Sequence, residues 1–244
     1  TGGDIKAGYK ISDQLSTFWM YKYEVKSLFD LSDAYSKNPT LLGETSGTVG
    51  SLYGSLSLDT TDYRLDPSKG FTASLSAEYA GLGGNQRFTR FIGQSGVYLP
   101  LLWKTVLSVR GEVGYLMRNG KDIPIDEKFY LGGINTIRGY SSRTVSPIEN
   151  GVYVGGVKEA ILNVDYVFPL VRDFGLKGVA FFDAGNSYAS GEQYFSKMLM
   201  SYGLGIRWYS PMGPLRLEYG FPVNPREGID SKGGRFEFSI GGFF

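Results

Sequence analysis

The chain has 244 residues with 25 Lys and Arg against 24 Asp and Glu, a balance that offers no basic field for nucleic acid and no acidic run of the kind found in disordered tails. It has no Cys and no His, which removes disulfide frameworks, Ser-His-Asp and Cys-His catalysis, and histidine metal sites. No stretch of about 18 apolar residues offers a transmembrane helix, yet Gly, Tyr and Phe reach 35, 18 and 16 residues at a mean hydropathy of only −0.15.

In chain order, an alternation of period two recurs in segment after segment. Ile5, Ala7, Tyr9 and Ile11 alternate with Lys6, Gly8 and Lys10, and Trp19, Tyr21, Tyr23 and Val25 with Met20, Lys22, Glu24 and Lys26. Phe71, Ala73, Leu75, Ala77 and Tyr79 alternate with Thr72, Ser74, Ser76 and Glu78, and Leu107, Val109, Val113 and Tyr115 with Ser108, Arg110 and Glu112. Tyr202, Leu204, Ile206 and Trp208 follow the same rule, as do Leu215, Leu217, Tyr219 and Phe221. Successive strand side chains point to opposite faces, so each segment has one apolar, aromatic face and one polar, charged or glycine face. Eleven strands are predicted, near 4–12, 16–28, 48–60, 70–80, 87–100, 104–117, 157–169, 176–188, 200–210, 214–223 and 235–244. Many have the roughly 9–11 residues that a tilted strand needs to cross a bilayer. A soluble β-sandwich also alternates, but its strands are shorter, with a mode of about five or six residues, and its faces are less uniformly aromatic. The expected fold is all-β, an antiparallel transmembrane β-barrel. Bacterial single-chain barrels have even strand numbers, so eleven implies an unseen strand or a barrel whose start lies elsewhere. Short turns such as Ser210-Pro211-Met212-Gly213 alternate with longer connections, and the longest, about 118–156, is expected to be extracellular and functional.

Three motifs narrow the reading. The long connection carries Gly132-Gly133 and then Ile137-Arg138-Gly139-Tyr140. A loop folded back into the lumen would set the Arg138 guanidinium, a planar bidentate donor, against lumen-facing carboxylates. Parity turns Leu162, Val164, Tyr166 and Phe168 outward, which leaves Glu159 and Asp165 inward, and it turns Asp183 inward between Phe182 and Ala184. A carboxylate facing lipid would be costly, which favours the same assignment. The second motif is Trp208-Tyr209-Ser210-Pro211-Met212-Gly213-Pro214-Leu215, and the third is the end of the chain, where Phe236, Phe238 and Ile240 precede Gly241, Gly242 and Phe244.

Together these resemble the BamA family of the bacterial surface antigen superfamily: the [V/I]RG[F/Y] loop motif, the W-x-S-P-[LM]-G-P-[LM] strand-turn-strand and the aromatic terminal β-signal. The resemblance covers about residues 70–244, while residues 1–69 fit the barrel pattern without a motif. Ile137 and Tyr140 stand where Val and Phe are commoner. The resemblance implies an outer-membrane location and a barrel of about sixteen strands, of which this chain would be the C-terminal part, with POTRA domains outside it. It implies that Asp165 and Asp183 hold Arg138, with Glu159 a further docking carboxylate, and that the glycine-softened terminal strand lies at a weak seam, the lateral gate. The implied function is non-enzymatic insertion of β-barrel proteins. Its partners would be outer-membrane lipids, unfolded barrel clients and accessory assembly lipoproteins, with no nucleic acid, cofactor or metal. TamA-like assembly factors and two-partner-secretion transporters share the loop motif and the terminal strand, and a passive outer-membrane pore is the alternative from another class. Asp62, Asp66 and Asp183 form no defensible acid–base pair, so no catalytic residue is expected.

Overall fold

A computed structural model describes residues 1–27, 37, 46–120, 122–210 and 213–241. The strands are β1 (Gly2–Lys10), β2 (Leu15–Ser27), β3 (Ser46–Asp59), β4 (Gly70–Gly84), β5 (Phe88–Pro100), β6 (Val106–Arg118), the short pair β7 (Ile148–Glu149) and β8 (Val152–Tyr153), then β9 (Lys158–Val171), β10 (Leu176–Tyr188), β11 (Leu199–Ser210), β12 (Gly213–Pro222) and β13 (Arg235–Ile240). Eleven of them form one sheet in the order β1-β2-β3-β4-β5-β6-β9-β10-β11-β12-β13, every neighbour antiparallel, and β7-β8 forms a separate hairpin. The predicted eleven strands are these eleven, with ends shifted by a few residues. β4 runs on to Gly84, and a register shift between Val49 and Ser51 accommodates the extra length. The sheet is a partial barrel and does not close: β1 and β13 are its two edges.

Face assignment follows the alternation. Trp19, Leu56, Leu75, Phe91, Val113, Tyr202, Leu204 and Trp208 are exposed on the outer face, with Leu75 at 69% and Leu204 at 66%. A contiguous apolar surface of this extent is incompatible with water and suits lipid. The inner face carries Glu78, Asn163, Asp183, Arg216 and Glu218, all buried.

One rim carries turns of two to five residues together with the ten-residue β3–β4 turn, and the other carries the long 119–157 connection together with the three-residue β4–β5 turn. Residues 119–157 are not a structureless loop. They hold a 3-10 turn at Ile125–Glu127, the β7-β8 hairpin and the bridges Phe129↔Gly156 and Leu131↔Val145. This segment fills the concave side of the sheet, where Leu131, Ile137, Tyr140 and Val145 pack on Ile161 and Leu199. The β3–β4 turn, on the short-turn rim, crosses to the opposite wall, where Lys177 reaches both Asp66 oxygens at 2.7 and 2.5 Å.

Candidate functional site

The Arg138 motif adopts its shape from backbone bonds within the loop. Gly133 N–H donates to the carbonyls of Ile137 and Tyr140 at 3.1 and 3.0 Å, and Gly132 N–H donates to Thr136 Oγ1 at 2.8 Å. The four residues of the motif then serve four contacts. Ile137 is buried, its Cδ1 lying where a Cβ on Gly185 of β10 would sit. Tyr140 is buried and its hydroxyl donates to Met200 O at 3.2 Å. Gly139 has φ +86, and an added Cβ would meet the carbonyl carbon of Gly220 on β12 at 2.9 Å; an added Cβ on Gly220 would meet Gly139 N at 2.7 Å. The loop backbone therefore rests directly on strand backbone, and only glycine fits on both sides of the contact.

Arg138 is 3% exposed, and its guanidinium makes four hydrogen bonds to three carboxylates. Nε and Nη2 form a bidentate pair with Asp183 at 2.7 and 2.6 Å, and the Arg138 backbone N–H adds a bond to the same carboxylate at 3.0 Å. Nη2 also reaches Asp165 at 2.8 Å, and Nη1 reaches Glu218 of β12 at 2.8 Å. The plane stacks on Phe181, with Cζ 3.6 Å from the ring centroid, a cation–π contact away from water. Arg207 of β11 closes a ring of alternating charge, binding the other oxygens of Asp165 and Glu218 at 2.8 Å each. Arg216 stands 3.6 Å from Glu218 and donates to Ile134 O at 2.5 Å. Asp165, Asp183 and Glu218 thus face Arg138, Arg207 and Arg216, and the buried nest is neutral in sum. Burial alone would push the Arg138 guanidinium down, but Asp165, Asp183 and Glu218 raise it well above its ordinary value, so it stays charged. Asn163 joins loop and wall by donating to Asp183 and to Thr136 O at 2.8 and 2.7 Å.

Of the residues singled out in the sequence, Arg138, Asp165 and Asp183 come together. Glu159 does not join them. It faces inward and is buried, but it lies against Glu112 and beneath Gly114, on the far side of β9's inner face from the nest. Glu218 of β12 takes the third carboxylate place, and with Arg207 it was missed. The signal was present, because both occupy inward positions in the strands flanking the Ser-Pro-Met-Gly-Pro turn, but the sequence does not say which lumen charges lie under the loop.

A second anchor was also missed. Glu127, at the loop's 3-10 turn, is buried between Lys26 of β2, with which it forms a very short ion pair, and Arg90 of β5, whose Nη2 donates to its Oε2 at 2.6 Å and to its backbone carbonyl at 2.7 Å. Arg90 also binds Glu78 at 2.9 Å. Burial would raise the Glu127 carboxyl, but Lys26 and Arg90 hold it below the usual carboxylate range. A third tie comes from Arg226 in the β12–β13 connection, which donates to the carbonyls of Ser146 and Thr144 at 3.1 and 2.6 Å.

In the terminal strand, Phe236, Phe238 and Ile240 are outward and exposed, and Gly241 N–H donates to Pro214 O at 2.9 Å. Gly242 and Phe244 of the predicted terminal motif lie outside the described residues. Among the described residues no group of three or more acidic, His or Cys side chains could hold a metal.

The Omp85 superfamily domain matches residues 1–244. The chain is 35% identical over its whole length to the outer membrane protein assembly factor BamA of Nitratidesulfovibrio vulgaris, of which it spans 32%. Its fold is similar to that of BamA from Haemophilus ducreyi lacking POTRA domains 1–3, with a TM-score of 0.78 at 17% identity, covering 99% of this chain and 53% of that one. It is also similar to CdiB from Acinetobacter baumannii, with a TM-score of 0.62 at 15% identity, covering 97% and 41%. With a lipid-facing outer wall, a lumenal loop and a match along its full length, this outer-membrane chain belongs to the Omp85 superfamily.

Proposed function

We propose that this chain is the C-terminal wall of a barrel that assembles and inserts other β-barrel proteins into the outer membrane, without enzymatic chemistry. The observation that carries the reading is β13. It pairs with β12 over six residues, Leu215↔Ile240 to Gly220↔Arg235, whereas β2 and β3 pair over 13. A short, glycine-flanked strand is weakly held, and at the seam of a closed barrel its N–H and C=O row would be the one an incoming client strand can extend. The clients would be unfolded outer-membrane proteins bearing their own terminal aromatic strand, and accessory lipoproteins would bind outside this wall. The Arg138 nest would then be structural, holding the loop in the lumen while the seam works. The likeness to CdiB supports a second reading within the superfamily, an assembly factor of the TamA type or a secretion transporter. A passive pore is disfavoured by the loop that fills the concave side.

The test is disulfide trapping in the full-length parent. Ser239→Cys on β13, paired with single cysteines along the terminal strand of an arrested client, should cross-link at the one client position in register with Ser239 and not at positions further along the strand. No cross-link above background would overturn the insertase reading. A secreted, non-barrel substrate trapped at the same position would favour the transporter.

A further inference from the structure

We propose that the outer wall carries a defined cleft for one acyl chain of a membrane lipid, roofed by the Tyr194–Phe195 arm of the β10–β11 connection. The cleft has a volume of about 980 Å³, at the top of the roughly 300–1,000 Å³ range of small-molecule sites. Its walls are Trp19, Leu56, Leu75, Phe91 and Tyr115, all at outward positions of β2 to β6. Its floor is made of residues without bulk. Gly54 lies under the Trp19 ring, where an added Cβ would sit 2.8 Å from the indole, and Ala77 and Gly93 continue it across β4 and β5.

The arm is built rather than draped. Tyr194 Oη donates to Gly114 O of β6 at 2.8 Å, and Lys158 of β9 donates to the carbonyls of Ser190 and Glu192 at 2.9 and 2.8 Å. Asn186 of β10 donates to Lys197 O at 3.1 Å. These bonds hold Phe195 and Lys197 in left-handed backbone, at φ 63 and 46, which bulky residues rarely adopt. The consequence is a Phe195 that is 65% exposed at the mouth of the cleft.

The chemistry selects the occupant. Strands β2 to β6 are hydrogen-bonded to neighbours on both sides, so the cleft offers no free backbone edge. A peptide lying there would bury its own N–H and C=O groups against an apolar lining without partners, which is costly. A hydrocarbon chain carries no such groups, and the cleft opens in the lipid-facing surface itself.

The experiment uses the full-length parent in vesicles of phosphatidylethanolamine and phosphatidylglycerol doped with a phosphatidylcholine that bears a mid-chain diazirine. After irradiation, adducts are mapped by mass spectrometry. The expected result is labelling concentrated on peptides of β4 and β5, reduced at least tenfold by Ala77→Phe, which fills the floor, and by Phe195→Ala, which opens the roof. Phe195 is an exposed loop residue, so its variant tests the cleft even where Ala77→Phe misfolds. Labelling spread evenly over all outward strands and unchanged by Phe195→Ala would overturn the proposal, as would cross-linked client peptide or a second copy found in the cleft.

Discussion

Two of the ties that pin the long β6–β9 connection use opposite chemistry, and the contrast shows what each contributes. Arg138 brings a cation to three carboxylates from β9, β10 and β12, and its side chain and those of Asp183 and Glu218 are almost wholly withdrawn from water. Glu127 brings an anion to Lys26 and Arg90, whose side chains remain 25% and 22% exposed. The first pin is buried, neutral in sum and stacked on Phe181; the second has a buried carboxylate but partly exposed cations. A buried pair is worth little net against a well-packed apolar substitute, but removal of one member leaves uncompensated charge. The Arg138 pin is therefore a specificity device that fails badly when broken, and the Glu127 pin a weaker clamp that responds to salt and pH.

The comparison is broken most forcefully by Arg138→Ala, which leaves Asp183 buried without a cation and Asp165 and Glu218 with Arg207 and Arg216 alone. Removal of one partner of a buried pair costs about 3–5 kcal/mol. In detergent micelles the loop should become accessible to protease and the unfolding temperature should fall. An unchanged digestion pattern and normal complementation in cells would refute the pin. Gly139→Ala should come next. It places a Cβ against Gly220 and forces a non-glycine residue to φ +86, a backbone cost of about 1–3 kcal/mol before the clash is counted. Arg138→Lys retains charge but loses the bidentate fork on Asp183. With one charged hydrogen bond worth about 1.5–3 kcal/mol, it should sit between wild type and Arg138→Ala, and stability equal to wild type would show that charge alone suffices.

Glu127→Gln is the smallest expected effect, about 1 kcal/mol or less for a partly exposed pair, and it should shrink further in high salt. Because the folded state holds the Glu127 carboxyl below its unfolded value, its contribution is present above about pH 4.3 and is lost as pH falls through the lower folded value. Acidification should therefore free the Glu127 end of the loop in wild type and leave Glu127→Gln unchanged over that window, as read by hydrogen exchange around Ile125. Equal pH responses in the two proteins would remove Glu127 from the clamp. If both pins hold one rigid body, Arg138→Ala and Glu127→Gln combined should depart from additivity.

Much of the fold was legible because the strand code is local. Parity put Leu162 and Phe182 outward and Asp165 and Asp183 inward, and the structure has them there. The strand number and the long connection were equally plain. What escaped notice was the occupancy of the lumen. Glu159 has the same parity as Asp165 but sits six residues further along the strand, under Gly114 and not under the loop arginine. Glu218 lies 80 residues from Arg138, and Lys26 lies 101 from Glu127, so no spacing rule joins them.

The sequence by itself determined which side of most strands meets lipid and which meets the lumen, because a two-residue period depends only on backbone geometry. The tertiary structure alone decided which inward charges meet. That depends on sheet curvature and on stagger summed over many strand pairs, which brings β12 and β2 to opposite ends of one folded loop and swings Tyr194 and Phe195 over a wall made by β2 to β6.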